Sequence, residues 1–351
     1  MKNCCKMVEL KKLGEVCSFN RGKTITAKDA IAGGIPVIAG GQTPSYFHNE
    51  SNRTGESIVI AGSGAYAGFV SYWNQPIFVS DAFTVDPLPT SNKKYIFHWL
   101  KMNQAHIYAT QKGAGVPHVH GKDIANFKIP IPPLSEQNRI VGILDTFTSS
   151  IDNLKEQIAQ RRKQFEYYRA SFFELECVSA KEMKELGEIC NILRGKRLTK
   201  NKLIENGIYP VFHGGIEPLG KYDEYNREAN TVMVINVGAS AGTVGFCSCR
   251  FWSSDGCFCI SHSELLKSKY LFYYLQTKTK YLQSQVRHAG IPTLDNAAVE
   301  KVNIPLLTLD KQEQIVNHLN MFEKTIANLQ QQLDLRQKQY EYYRNKLLTF
   351  E

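Results

Sequence analysis

The chain has 351 residues, 43% of them hydrophobic, and a net charge of +9 from 42 Lys and Arg against 33 Asp and Glu. This length allows two domains of ordinary size, and the composition excludes a disordered tail or a collagen-like fibre. No apolar run reaches the roughly 18 residues of a membrane helix. No apolar signal core follows Met1-Lys2-Asn3-Cys4-Cys5-Lys6, so a cytoplasmic place is expected, with nine reduced cysteines.

Read in chain order, the elements occur twice. Leu13-Gly-Glu-Val-Cys17 returns as Leu186-Gly-Glu-Ile-Cys190, and Arg21-Gly-Lys23 as Arg194-Gly-Lys196. The strand-like run Ser57-Ile-Val-Ile-Ala61 has its counterpart in Thr231-Val-Met-Val-Ile235. Gly64-Ala-Tyr-Ala-Gly68 returns as Gly238-Ala-Ser-Ala-Gly242, and Ser80-Asp81 as Ser254-Asp255. Lys94-Tyr-Ile-Phe97, opening a helical stretch to Tyr108, returns as Lys269-Tyr-Leu-Phe272, opening one to Leu282. Ala114-Gly-Val-Pro117 matches Ala289-Gly-Ile-Pro292, and Ile129-Pro130 matches Ile304-Pro305. Lys163-Gln-Phe-Glu-Tyr-Tyr-Arg169 matches Lys338-Gln-Tyr-Glu-Tyr-Tyr-Arg344. The offset drifts only from 173 to 175, too long for a solenoid, so a whole domain is duplicated.

Each copy has two parts, with boundaries at 1–134, 135–176, 177–306 and 307–351. The first and third are glycine-rich and mixed α/β. The second and fourth contain no proline, and their only glycine is Gly142. Apolar residues there alternate in steps of four and three. They run Ile140, Leu144, Phe147, Ile151, Leu154, Ile158 in one and Ile315, Leu319, Phe322, Ile326, Leu329, Leu333 in the other. This is a heptad seam, interrupted by Arg161 and Arg336 at equivalent places. Ser135 and Asp310 suit helix N-caps. Such helices reach about 60 Å. They can pair along their seams or pack separately on their own domains; the matched Arg and shared register favour the pair. The aromatic residues at their ends (Phe165, Tyr167, Tyr168; Tyr340, Tyr342, Tyr343) can be coil core or partner surface, with core expected for those in register.

The charge is not spread evenly. The helical parts hold twelve Lys and Arg against thirteen Asp and Glu, the globular parts thirty against twenty. The excess therefore sits on the domains, as expected if these meet phosphate. Arg21, Lys23, Arg194, Lys196 and Arg197 lie beside a glycine, which suits backbone contact with phosphate. They do not form a P-loop, since position 17 is Cys. The run Gly62 to Gly68 reads as a tight hairpin-like turn rather than a dinucleotide fingerprint. The loop Gly113 to Lys122 carries His118, His120 and Lys122 on a Gly/Pro frame, and its partner carries Arg287 and His288. Such loops can set side chains at base edges or serve only as rigid connections. Cys247, Cys249, Cys257 and Cys259 have a spacing that can hold zinc. At an offset of 174 they face Trp73, Gln75, Phe83 and Val85, which favours packed strands and no metal.

This plan resembles the specificity subunit of type I restriction-modification enzymes over essentially the whole chain. The resemblance rests on the duplication, on Ile129-Pro-Ile-Pro-Pro133-Leu-Ser-Glu-Gln137 leading into a helix, and on the Glu-Tyr-Tyr-Arg ending; Ile304 to Gln312 departs by losing the Pro pair. It implies an α+β chain with two target-recognition domains in tandem, each followed by a long helix, the helices pairing as an antiparallel coiled coil. Each domain would read one half of an asymmetric double-stranded DNA site. Arg21, Lys23, Arg194, Lys196 and Arg197 would contact phosphate; His118, Lys122, Arg287 and His288 would lie near bases. The seam residues Leu144, Phe147, Ile151, Leu154, Ile158, Leu319, Phe322, Ile326, Leu329 and Leu333 would set half-site spacing and dock two methyltransferase subunits. Restriction subunits would join these, and S-adenosylmethionine, ATP and Mg would sit on the partners, none on this chain. No methyltransferase tetrad, Walker A or HExxH motif is present, so a non-catalytic subunit is expected. The specificity chain of a type II enzyme and a freestanding DNA-binding protein are the alternatives.

Overall fold

The structure is a computed structural model that describes residues 8–179 and 182–350; the charged start with Cys4 and Cys5 lies outside them. The chain folds as two compact units that do not follow its four-part order. Unit one takes the residues up to Lys155 together with those from Gln331 onward, and unit two takes Glu156–Gln330. Each unit thus holds one globular part and a portion of each long helix, Leu134–Ser179 and Leu309–Thr349.

In unit one, Glu9–Lys12 pairs antiparallel with Lys128–Ile131. A four-stranded antiparallel sheet runs in the order Cys17–Arg21, Ala82–Pro87, Glu56–Ala61, Val70–Asn74. A smaller sheet sets Ile35–Ile38 antiparallel to Tyr46–His48 and parallel to Phe78–Val79. Unit two repeats this plan strand for strand. Met183–Glu185 pairs with Asn303–Pro305. The four-stranded order is Ile192–Arg194, Cys257–Ile260, Thr231–Ile235, Val244–Cys247. Tyr209–Phe212 lies between Gly220–Tyr222 and Trp252–Ser253. The duplication legible in the sequence is therefore a duplication of topology.

The stretch from Lys94 to Tyr108 is two helices, Lys93–Met102 and Gln104–Tyr108, and its counterpart is Ser268–Thr277 and Thr279–Ser284. Asn103 makes the first break: its backbone leaves helical geometry, and its side-chain amide donates to the Trp99 carbonyl beside its own backbone amide. The core of unit one gathers Ile58, Ile60 and Val85 from the sheet with Tyr95, Ile96 and Leu100 from the helix. Ile140 and Leu144 of the first long helix and Leu348 of the second complete it. Unit two does the same with Val232, Val234, Tyr270 and Leu271, joined by Phe173 from the first long helix and Ile315 and Leu319 from the second. Burial of this apolar surface fixes the long helices to the domains.

Ser135 and Asp310 are not the caps. The helices begin one residue earlier, at Leu134 and Leu309, so both residues lie inside the first turn. Pro133 precedes the first helix and its carbonyl accepts from the Glu136 and Gln137 amides; Thr308 precedes the second, its hydroxyl accepting from Lys311. What anchors both starts is a buried glutamine. The Gln137 side chain accepts from the Asn92 amide at 2.8 Å and donates to the Pro132 carbonyl at 2.9 Å. Gln312 accepts from the Lys267 amide at 2.8 Å and donates to the Leu265 and Leu307 carbonyls at 2.8 and 2.9 Å. Both are 0% exposed.

Within each unit the two long helices pair antiparallel. In unit one, Phe147 stacks on Tyr343 with ring centroids 5.4 Å apart, and the Arg336 guanidinium lies over Phe147. In unit two, Phe322 packs on Phe165 and Tyr168, Phe172 on His318, and Lys311 pairs with Glu176 at 3.2 Å. Of the ten seam residues none is exposed, although Leu144 and Leu319 belong to the domain cores. Tyr167 and Tyr342 face solvent.

Candidate nucleic-acid interface

In unit one, the end of strand Cys17–Arg21 is held by Arg53, whose guanidinium donates to the carbonyls of Asn20 and Arg21, each at 3.2 Å. The neighbouring Asn52 exchanges two hydrogen bonds with the Val79 backbone, at 2.8 and 2.7 Å. Unit two repeats both devices. Arg227 donates to the Arg194 carbonyl at 2.8 Å, and Asn226 exchanges bonds with the Ser253 backbone at 3.0 and 2.7 Å. The backbones of Arg21 and Arg194 are thus clamped while their side chains remain exposed.

The glycine of Arg-Gly-Lys has a different use from the one expected. A Cβ at Gly22 would come within 2.3 Å of the Val79 carbonyl oxygen, and one at Gly195 within 2.0 Å of the Ser254 carbonyl oxygen. These glycines let two backbone segments touch, with Lys23 and Lys196 bonded to the Val79 and Ser253 carbonyls. Phosphate contact at these places falls to the side chains.

The run Gly62 to Gly68 is a hairpin turn between Glu56–Ala61 and Val70–Asn74, with Gly64 and Gly68 at φ of +86° and +90°. It carries the next loop. Gly64 donates to the Pro117 carbonyl at 3.0 Å and Val119 to the Gly62 carbonyl at 3.0 Å; Lys112 and His118 exchange backbone bonds. In unit two, Gly238 donates to Pro292, Leu294 to Asn236, and Arg287 exchanges bonds with Thr293. The repeated Ala-Gly-Val-Pro and Ala-Gly-Ile-Pro segments are therefore a shared frame. The side chains on it differ: His118 corresponds to Thr293, Lys112 to Arg287 and Gly113 to His288.

These pieces meet in a cleft of unit one. Phe19, Arg21, Asp81, Phe83, His118, His120 and Lys122 line it. Arg21 and the distant loop residues His118 and Lys122 thus share one surface, whereas Lys23 lies outside the cleft lining. Beside it Lys112 pairs with Asp123 at 2.9 Å, and this ammonium holds the carboxyl below the ordinary carboxylate range. In unit two, Arg194, Lys196, Arg197, Arg287 and His288 are all exposed, and Arg287 pairs with Asp295 at 2.7 Å. Asp81 and the Asn-Arg clamps escaped the sequence reading as functional or positioning residues. Their signal was present: Asn52-Arg53 and Asn226-Arg227 are one more repeat at 174.

Three of the four cysteines belong to a core, and Cys249 is exposed. Cys247, Cys257 and Cys259 pack with Phe212, Met233, Ile235 and Phe251. Burial pushes the Cys247 thiol up to about 11 and the Cys257 thiol to about 12.

A cation-edged cleft in unit one, on a backbone frame that both units share, is a surface suited to DNA. The family profile described as type I restriction modification DNA specificity domain matches the chain twice, over residues 6–161 and 179–335. The chain belongs to this family. A putative type I restriction enzyme specificity subunit of Haemophilus influenzae is 27% identical, covering 98% of this chain and 96% of that protein. The EcoR124I/EcoR124II specificity subunit of Escherichia coli is 28% identical over 73% and 70% of the two chains. Among solved structures, the type I restriction-modification S subunit of Mycoplasma genitalium has a TM-score of 0.74 at 19% identity, covering 99% and 98%. This specificity subunit thus carries two tandem recognition domains on mixed α/β folds with long helices, and its family recognises DNA without catalysing a reaction.

Proposed function

We propose that the two domains read the two unequal halves of one bipartite double-stranded DNA site. The observation that carries this is the contrast just described: identical frames with different side chains on them. A frame common to both copies gives equivalent docking, and His118 against Thr293, or Gly113 against His288, gives different base preferences. Arg21, Lys23, Arg194, Lys196 and Arg197 supply phosphate contacts that orient each domain. Two methyltransferase subunits dock on the paired helices, where Tyr167 and Tyr342 leave aromatic surface exposed. Restriction subunits complete the assembly; S-adenosylmethionine, ATP and Mg act on these partners, in the cytoplasm.

The test is a genome-wide map of methylated adenine in the host, with and without this gene. Loss of one asymmetric bipartite motif on deletion is expected. An unchanged map, with a methyltransferase chain still copurifying, would overturn the assignment of recognition to this chain.

A further inference from the structure

Most of the cleft in unit one is what a phosphate-facing surface requires, but one side chain has the wrong sign for that duty. Asp81 lies among Arg21, His118 and Lys122. It forms no ion pair within 4 Å among the described residues; its Oδ2 accepts a short hydrogen bond from the Ser63 hydroxyl, which leaves lone pairs on Oδ1. Its backbone is fixed by the Gly62 amide, which donates to the Asp81 carbonyl at 3.0 Å. A carboxylate beside DNA is repelled by phosphate. It is tolerated where it meets a donor, and the donors on base edges in the major groove are cytosine N4 and adenine N6.

We propose that Asp81 is a specificity-determining residue of the first recognition domain, its carboxylate accepting a hydrogen bond from an exocyclic amino group in the half-site that this domain reads. The inference rests on the assignment of one half-site to each domain. Ser63 orients the carboxylate, and Arg21 holds the DNA backbone beside the base that it reads. The second copy is placed differently. Val237 stands where Ser63 would be, and the imidazole of His213 approaches Asp255 at 3.4 Å. The Asp255 Oδ1 also accepts from the Ser254 hydroxyl at 3.1 Å, so the equivalent aspartates are held by different partners, and Asp255 is the matched control.

The experiment selects duplexes from a random-sequence library with the full chain, assembled with its methyltransferase, as wild type, Asp81→Ala, Ser63→Ala and Asp255→Ala. For Asp81→Ala, which removes the acceptor, one position in one half-site is expected to lose its preference for an amino-bearing base, by about 5- to 150-fold, while the other half-site is kept. Ser63→Ala relaxes the same position to a smaller degree, and Asp255→Ala leaves that half-site untouched. An unchanged motif for Asp81→Ala, or a loss spread evenly over all sequences, overturns the proposal. A wild type that selects two half-sites but loses both on Asp81→Ala does so as well. A wild type that selects no motif overturns the assignment of recognition itself, and is distinguishable because no variant is then needed to see it.

Discussion

The two units join domain to helix by the same geometry and different chemistry. In unit one His98, only 1% exposed, stands between Asp145 of the first long helix and Tyr340 of the second, its Nε2 and Nδ1 each 3.1 Å from their oxygens. Lys94 pairs with Asp145 from the side. In unit two the same four places hold Tyr273, Asn320, Phe165 and Lys269. Tyr273 donates to Asn320 at 2.7 Å and meets the Phe165 ring edge-on, while Lys269 turns to Glu323. One joint contains a titratable imidazole and the other is neutral at its centre. Placement of the helix is therefore set by apolar burial and by the glutamine anchors, and the polar set around it has been free to diverge.

The largest expected effect tests the part said to be common. Gln137→Leu leaves the buried Asn92 amide and Pro132 carbonyl without partners, and Gln312→Leu does the same to the Lys267 amide and to Leu265 and Leu307. At about 1 to 3 kcal/mol for each stranded group, Gln137→Leu should cost about 2 to 6 kcal/mol and Gln312→Leu at least as much. Urea denaturation, with hydrogen exchange to locate the loss, should show similar costs, each confined to its own unit. A loss in only one would mean that the anchors are not equivalent.

The next effect tests the part said to differ. Burial lowers the pKa of His98 below its ordinary 6.5, against the pull of Asp145. The folded imidazole is therefore neutral, donating from Nε2 to Asp145 and accepting the Tyr340 hydroxyl at Nδ1. Above pH 6.5 neither state carries the proton and the stability is whole. As pH falls below 6.5 the unfolded chain takes up a proton that the fold refuses. Unit one then loses stability by at most about 1.4 kcal/mol per pH unit, until the folded pKa is reached. Unit two has no imidazole at this place. Replacing His98, Asp145 and Tyr340 by Tyr, Asn and Phe should abolish that mildly acidic loss, read from denaturation midpoints between pH 7 and 5. A loss that survives the triple change belongs to another group.

Much of this was legible in the sequence because duplication is a long-range signal written locally. It exposed two domains, the long helices and the hairpin turn at Gly62 to Gly68. It also marked Arg21 and the loop with His118 and Lys122, which the fold brings from two segments into one cleft. What stayed hidden depends on contacts between segments distant in the chain. Gly22 looked like a loop glycine because the Val79 carbonyl that it must admit lies 57 positions away. Gln137 was marked only as the end of the motif that leads into a helix, because its partner, the Asn92 amide, belongs to another element. Ser135 was a plausible cap by type, yet Pro133 had already set the helix start one residue earlier.

The smallest effect separates the arginines from the lysines beside them. Arg21 lines the cleft with its carbonyl clamped by Arg53, and Arg194 is held by Arg227 in the same way. Lys23 and Lys196 lie one glycine further along, also exposed but with their backbones tied to the neighbouring strand. Removing one phosphate contact lowers the slope of log affinity against log salt by about 0.9. Alanine at Arg21 or Arg194 should therefore reduce the slope by about one, equally for matched and unmatched duplexes, because a phosphate carries no sequence information. Alanine at Lys23 or Lys196 should do the same only if the DNA backbone passes beyond the cleft. Titrations of the four variants at several salt concentrations then trace how far the phosphates run. An unchanged slope for Arg21→Ala would take the cleft off the DNA path.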